Sequence, residues 1–348
     1  IRLEDGKVRL QLEMLRGEGS VKLPKVFSDT ARGIAQYAVH GYAGRVGLKV
    51  IGREALSKFV RHREIGEIPE LLRQPKILWG IEEGALIIDS EDWLRDIAQH
   101  IGLNTTLTVS RKQLGELYNV SNVYLLNDGS RVVALAVKKF RDIRSVKWAL
   151  LNIWTLPTRR FNISPLARMS REYSMIRRLR TLGLNTPEII GVVLNDRILV
   201  TKYIDGIDLS RLISDILDGV SEELKPIELY GEAVAKVHAS NITLGDTKPS
   251  NAVYYDGRIY LTDLEQANTG LDKSWDIAEF IYYSTKLTLN QKGAVDVERS
   301  FLEGYLKSGD PNVVERALDV KYLAPFRPFL APNVAVAVRN EIERMLRK

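Results

Sequence analysis

The chain has 348 residues, 45% of them apolar and 27% charged, with 50 Lys and Arg against 44 Asp and Glu. That length and apolar content exclude wholesale disorder and leave room for two or three domains. The lack of any cysteine excludes disulfides, thiolate nucleophiles and sulfur-ligated zinc. No apolar run approaches the roughly 18–20 residues of a membrane helix, and residues 1–10 are charged, so no membrane partner and a cytoplasmic location are expected.

Residues 1–104 read as an N-terminal α+β domain of unassigned role. A helix is predicted after Ser28, with an apolar stripe of Ile34, Ala35, Ala38 and Val39. A short strand over 47–51 and helical material over 53–72 follow, then a hairpin from 76–79 and 85–88. Ser90 opens a further helix with acidic residues in its first turn, ending near Gly102. Helices followed by a hairpin loosely fit a winged helix, and fit a small α+β packing domain better.

Beyond Gly102 the pattern becomes strand-like over 104–111, 120–127 and 131–140, with Asn127-Asp128-Gly129 as a tight turn. A long helix over 166–182 closes at Gly183, Thr186-Pro187 starts an extended segment, and 197–204 reads as a strand. From Leu209 helical periodicity dominates, interrupted by short strands at 252–255 and 259–262. The expectation is a kinase-like region over 105–348, with a small β-rich lobe to about 203 and a larger helical lobe from 204.

The segment with the most chemistry is Gly245-Asp246-Thr247-Lys248-Pro249-Ser250-Asn251, followed after a strand pair by Thr262-Asp263-Leu264-Glu265. Asp246 is a carboxylate on a tight loop, suited to orient an acceptor hydroxyl or take its proton. Lys248 can offset charge on a transferring phosphoryl group. Asn251 and Asp263 offer hard oxygen donors for a divalent metal bound to phosphates. Phosphoryl transfer needs these parts, since it rests on positioning and charge neutralisation more than on covalent work.

Asp246-x-Lys248-Pro249-x-Asn251, with Asp263 twelve residues after Asn251, resembles the catalytic and metal-binding loops of the protein-kinase-like superfamily. Val132 to Lys138 is similar to the strand whose lysine meets the nucleotide phosphates; alternation sends Lys139 to the other face. Glu172, on the helix over 166–182, is the residue the resemblance implies as that lysine's partner. Thr201, Lys202, Tyr203 and Ile204 match the hinge where adenine stacks and bonds to backbone. Trp275-Asp276 resembles the helix whose buried Asp braces the catalytic loop, although Asp276 alone reads equally as an N-cap. His238 reads as a packing residue or a partner of backbone.

A glycine-rich G-x-G-x-x-G loop is missing. Instead, a loop running from Gly115 into Ser121 and Asn122 is similar to the short phosphate loops of the RIO kinases and the KEOPS-complex kinase. Asp263-Leu264-Glu265 stands where D-F-G is usual, and only twelve residues separate Asp263 from Trp275, too few for an ordinary activation loop. The resemblance covers about residues 106–290. It implies a two-lobed fold and an atypical serine/threonine protein kinase using ATP with Mg2+ or Mn2+. Two other readings stay open: a kinase for small molecules of the aminoglycoside or sugar type, and an ATPase switch serving assembly of RNA or ribosomal particles.

The charge is not spread evenly. From Lys138 to Arg180 there are twelve basic residues and two acidic ones, a net of +10 that leaves −4 for the rest. This segment is a candidate surface for RNA, a ribosomal particle or an acidic protein substrate, or else serves the triphosphate and a solvated helix face.

Overall fold

The structure is a computed structural model and describes residues 2–4, 7–9, 77–79, 85–88, 92–103, 108–113, 121–140, 165–193, 196–270 and 272–347. The elements expected over 28–72, most of the Gly115 loop and most of the basic insertion lie outside the described residues. The chain is α+β and forms two compact units. One comprises residues 1–143, 163–181 and 187–203; the other comprises 144–162, 182–186 and 204–348.

In the first unit, β1 (Arg2–Glu4) and β2 (Lys7–Arg9) pair with each other. The expected hairpin is present as β3 (Ile77–Trp79) and β4 (Ala85–Ile88), followed by helix α1 (Trp93–His100). Next come β5 (Thr108–Gln113), β6 (Ser121–Asn127), β7 (Val132–Lys139), helix α2 (Pro165–Thr181), β8 (Ile189–Val193) and β9 (Ile198–Lys202). They build a seven-stranded sheet in the order β3-β4-β8-β9-β7-β6-β5, in which only β4 and β8 run parallel. The expected boundary near residue 104 falls inside this unit, because β4 and β8 share one sheet.

Alternation along the strands gives the sheet two different faces. Leu126, Leu135, Val137 and Val200 bury against Ile97 and Ala98 of α1. Paired positions Ser121 and Lys138, Val123 and Ala136, and Leu125 and Ala134 lie on the opposite face. The turn between β6 and β7 forms as its residues predict. Asn127 accepts from the Gly129 amide at 2.8 Å, Asp128 from Ser130 at 2.9 Å, and Gly129 takes φ +84°. From that turn Arg131 donates to the carbonyls of Ile101 and Gly102 at 2.7 and 2.8 Å, a cation set at the C-terminus of α1.

The second unit is mainly helical: α3 (Leu209–Leu217), α4 (Lys225–Ala239), α5 (Lys273–Ser284), α6 (Gln291–Leu306), α7 (Pro311–Ala317), α8 (Val320–Leu323) and α9 (Pro332–Leu346). Asp208, Asp272, Asn290 and Asp310 cap α3, α5, α6 and α7 through side-chain acceptors. Ile227, Tyr230, Val234 and Val237 recur at helical spacing and bury one face of α4. That face meets α6, where Gly231 and Gly304 let the backbones approach so closely that a Cβ at Gly304 would run into the Glu228 carbonyl oxygen. Phe280 of α5 stacks on Phe301 of α6 with ring centroids 4.0 Å apart. The short strands are β10 (Ile207–Asp208), β11 (Ile242–Thr243), β12 (Ala252–Tyr255), β13 (Arg258–Leu261) and β14 (Asn268–Thr269). Among the described residues no helix is long and apolar enough to cross a membrane.

Candidate active site

Within the sheet unit, Lys138 near the end of β7 donates to Glu172 of α2 at 2.6 Å. The carboxylate belongs to the buried stripe Met169, Glu172, Tyr173, Ile176 and Leu179 of the helix. The Lys138 ammonium also lies 5.0 Å from the centre of the Phe140 ring. Lys139, on the other face, reaches Asp196 at 2.8 Å, and both partners are more than 40% exposed, which marks an ordinary surface pair. Strand geometry separates the two lysines as alternation predicts. Beside Lys138 its face carries Ala134 and Ala136, small side chains that leave room over the sheet.

The other residues expected at the nucleotide are spread over β6 and β9. Ser121 begins β6 opposite Lys138 in register, and Asn122 is buried opposite Val137. Thr201 is buried and Lys202 exposed. The amides of Lys202 and Tyr203 are already engaged, with the carbonyls of Glu188 and Ala134 at 2.8 and 3.0 Å. Thr201 lies within the sheet ladder, paired with Ala136 of β7 and Ile189 of β8.

The helical unit holds the loop. The Lys248 ammonium pairs with Asp246 Oδ1 at 2.7 Å. Burial opposes its charge, but the carboxylates of Asp246 and Glu279 outweigh that and hold Lys248 well above its ordinary pKa. Pro249–Asn251 forms a single 3-10 turn ending at the start of β12. β12 returns as β13 through the two-residue turn Asp256-Gly257, both at positive φ. Register pairs Ala252 with Leu261, so Asn251 and Thr262 meet at the open end of the hairpin. Thr262 donates to the Asn251 carbonyl from its amide at 2.9 Å and from its hydroxyl at 3.0 Å. The twelve-residue spacing between Asn251 and Asp263 is therefore the length of a hairpin. Asn251 Nδ2 donates to the Asp246 carbonyl at 2.8 Å, leaving its Oδ1 for another partner.

Asp263 itself adopts φ 53°, ψ 54°, the left-handed region, costly for a residue with a Cβ and recurrent at functional sites. Asp246, Asn251, Thr262, Asp263 and Tyr230 line one small hollow of this unit, which brings Asp246 and the two expected metal ligands together. Tyr230 donates to the Thr247 carbonyl at 3.2 Å. Burial, then the carboxylates of Asp276, Glu279 and Asp246, push its pKa far up, so it stays a neutral donor.

Behind the loop stands α5. Asp276 is fully buried and accepts from the amides of Leu244 and Gly245 at 2.6 and 2.7 Å. Its N-cap reading is overturned, since α5 begins at Lys273 and Asp272 caps it. The His238 ring is buried, as a packing residue would be; its Nε2 meets Asp276 at 3.1 Å and its Nδ1 meets the Tyr305 hydroxyl at 2.9 Å. Glu279, one turn after Asp276, accepts from the Thr247 amide at 2.8 Å. Glu279 and Tyr230 were not singled out from sequence. Two carboxylates at i and i+3 inside an apolar helix were the signal available for the first of them.

The basic segment is not one open face. Arg168 and Arg177 are buried, and Arg177 donates to the Tyr173 hydroxyl at 2.9 Å. Burial and the nearby Arg180 lower the Arg177 pKa to about 9. Of the described basic residues there, Arg171, Arg178 and Arg180 are at least partly exposed outside the two lysine pairs.

No family model matches the sequence. The chain is 31% identical over 96 residues to the KEOPS complex subunit Bud32 of Pyrococcus abyssi, covering 28% of this chain and 43% of that protein. It is 28% identical over 138 residues to a probable bifunctional tRNA threonylcarbamoyladenosine biosynthesis protein of Methanospirillum hungatei, covering 40% and 24%. Among solved structures, WaaP in complex with acyl carrier protein is similar with TM-score 0.37 and 15% identity, covering 69% of this chain and 90% of that one. The chain thus spans less than half the length of the curated relatives it matches.

A β-sheet unit with a Lys–Glu pair and a helical unit with the Asp-x-Lys-Pro-x-Asn loop define a protein-kinase-like chain. Over the matched residues it is similar to the atypical Bud32 kind within that superfamily.

Proposed function

We propose that this chain is an ATP-dependent phosphotransferase acting on a hydroxyl of a protein substrate, an atypical serine/threonine kinase. The observation that carries the reading is the gathering of Asp246, Asn251 and Asp263 around one hollow, each supplied by a different turn of the loop and hairpin. In this reading the sheet unit supplies Lys138, set by Glu172, for the nucleotide phosphates. Ser121 and Asn122 serve the phosphate loop, and Thr201 to Ile204 serve the base.

In the helical unit Asp246 takes the acceptor proton at Oδ2, because Lys248 engages Oδ1. The γ-phosphoryl group passes to the acceptor oxygen, and ADP and a phosphate ester result. Lys248, kept cationic, offsets charge that builds on the transferring group. The donor set fits Mg2+ or Mn2+: an amide oxygen left over by the Asn251–Asp246 bond and the Asp263 carboxylate are both hard oxygens. Such an ion, when bound, neutralises phosphate charge.

The names of the relatives extend the proposal to its setting. Bud32 is a KEOPS complex subunit, and the bifunctional relatives are tRNA threonylcarbamoyladenosine biosynthesis proteins. Work beside protein partners of that kind, in the cytoplasm and with RNA near Arg171, Arg178 and Arg180, belongs to the same reading. The test is Asp246→Asn. Label transfer from γ-labelled ATP should fall by roughly a hundredfold or more, while binding of a fluorescent ATP analogue persists. Full transfer by the variant would sink the assignment.

A further inference from the structure

One surface of the helical unit is left over by this chemistry. The Tyr283 ring, half-buried near the end of α5, has Lys248 on one side, with Nζ 5.7 Å from its centre, and Lys286, with Nζ 3.5 Å from its centre. Lys248 is the lysine paired with Asp246, so the ring links the catalytic carboxylate to Lys286. Lys286 is exposed and has no carboxylate partner among the described residues.

The next residue is unusual on two counts. Leu287 adopts φ 60°, a left-handed conformation that a leucine seldom takes, and it is 78% exposed. Its amide donates to the Phe329 carbonyl at 2.8 Å, which fixes it there. Leu289 is 79% exposed and Phe329 is 48% exposed. A strained backbone that holds a large apolar side chain in water, next to a lysine without a carboxylate partner, has a cost with no return in the packing of this unit.

We propose that Tyr283, Lys286, Leu287 and Leu289 form the acceptor-docking surface, and that it selects a protein segment carrying an acidic side chain beside an aliphatic one near the phosphorylated hydroxyl. The proposal rests on the phosphotransferase reading and names its substrate class. Charge complementarity assigns the acidic group to Lys286, with Tyr283 holding the ammonium in place. The leucines favour a peptide over RNA, because RNA offers no aliphatic side chain to meet Leu287 and Leu289, and the Tyr283 ring on which a base would stack already holds two ammonium groups.

The test uses the full chain, ATP labelled at the γ-phosphate, and two serine peptides identical except that Glu beside Leu is replaced by Lys beside Leu. Initial transfer rates give the preference as a ratio, and fluorescence anisotropy reads peptide binding separately. The wild type should favour the acidic peptide by about fivefold, the scale of one exposed ion pair. Lys286→Ala should bring the ratio close to one and Lys286→Glu should invert it. Leu287→Gly, which suits the left-handed backbone, should weaken binding of both peptides.

An acidic peptide that is not preferred, or a ratio that Lys286→Glu leaves unchanged, overturns the proposal. So does a polyanionic RNA that displaces the peptide and loses its own binding in Lys286→Glu. Peptide binding that follows these rules with no transfer to either peptide would instead count against the phosphotransferase reading and leave the docking surface standing.

Discussion

Removing the Asp276 carboxylate tests whether α5 holds the Asp246 loop. The group is fully buried and its two oxygens accept the Leu244 and Gly245 amides, at 2.6 and 2.7 Å, and face His238 at 3.1 Å. Asp276→Ala strands two buried amides, each at about 1–3 kcal/mol, so a loss of about 2–6 kcal/mol is expected. Asp276→Asn keeps the shape. Its carbonyl oxygen can replace Oδ2, but its amide then opposes the Gly245 amide, so one charge-assisted bond of about 1.5–3 kcal/mol is lost. Both variants retain the bond from the Thr247 hydroxyl to the backbone carbonyl of Asp276, at 2.6 Å, so the effect isolates the carboxylate. Against a typical total of about 5–15 kcal/mol, the alanine variant is severely weakened. Urea unfolding at constant pH should rank wild type above Asn and Asn above Ala. Hydrogen exchange should accelerate at the amides of Leu244 and Gly245 in both variants. An alanine variant within about 0.5 kcal/mol of wild type, or unchanged protection at those amides, would refute the brace.

Two other predictions concern the helical unit. Glu298 of α6 is fully buried, accepts from the Ser284 hydroxyl, and its second oxygen has no hydrogen-bond partner among the described residues; burial raises its pKa from 4.5 to about 8. Because the folded pKa lies above the unfolded one, the folded state binds the proton more tightly. Stability therefore falls as pH rises from about 4.5 to 8, by up to about 5 kcal/mol in total. Glu298→Gln removes that slope, so the urea midpoints of the two proteins should converge or cross between pH 5 and pH 8; parallel pH profiles would count against it. Gly304→Ala places a methyl group against the Glu228 carbonyl and should cost about 1–3 kcal/mol, read as a drop of a few degrees in Tm. An unchanged Tm would mean that α4 and α6 can separate without loss.

Much of the candidate site's local geometry was legible as sequence because its signals are local. The Asn127-Asp128-Gly129 turn sets φ and hydrogen bonds within four residues, and the Asp246 to Asn251 loop encodes its own geometry through Gly245 at φ 75° and Pro249. Alternation along β7 was enough to separate Lys138 from Lys139. What lay beyond sequence is contact between distant elements. The pairing of β4 with β8 draws the hairpin before residue 104 into the same sheet as β9, and parallel pairing leaves no turn signal behind. Asp276 could be an N-cap or a brace on its sequence alone, and only the approach of Leu244 and Gly245 decides it.

The same division applies to composition and charge. The sequence by itself determined that no thiol takes part, since cysteine is absent, and that twelve basic residues crowd between Lys138 and Arg180. Tertiary structure decided which of those charges are available. Lys138 is held by Glu172, Lys139 by Asp196, and Arg168 and Arg177 are buried, whereas Lys286, outside the segment, stands exposed. Net charge follows from residue counts. The charge a partner can meet depends on burial and pairing, which the chain acquires only when distant side chains come together.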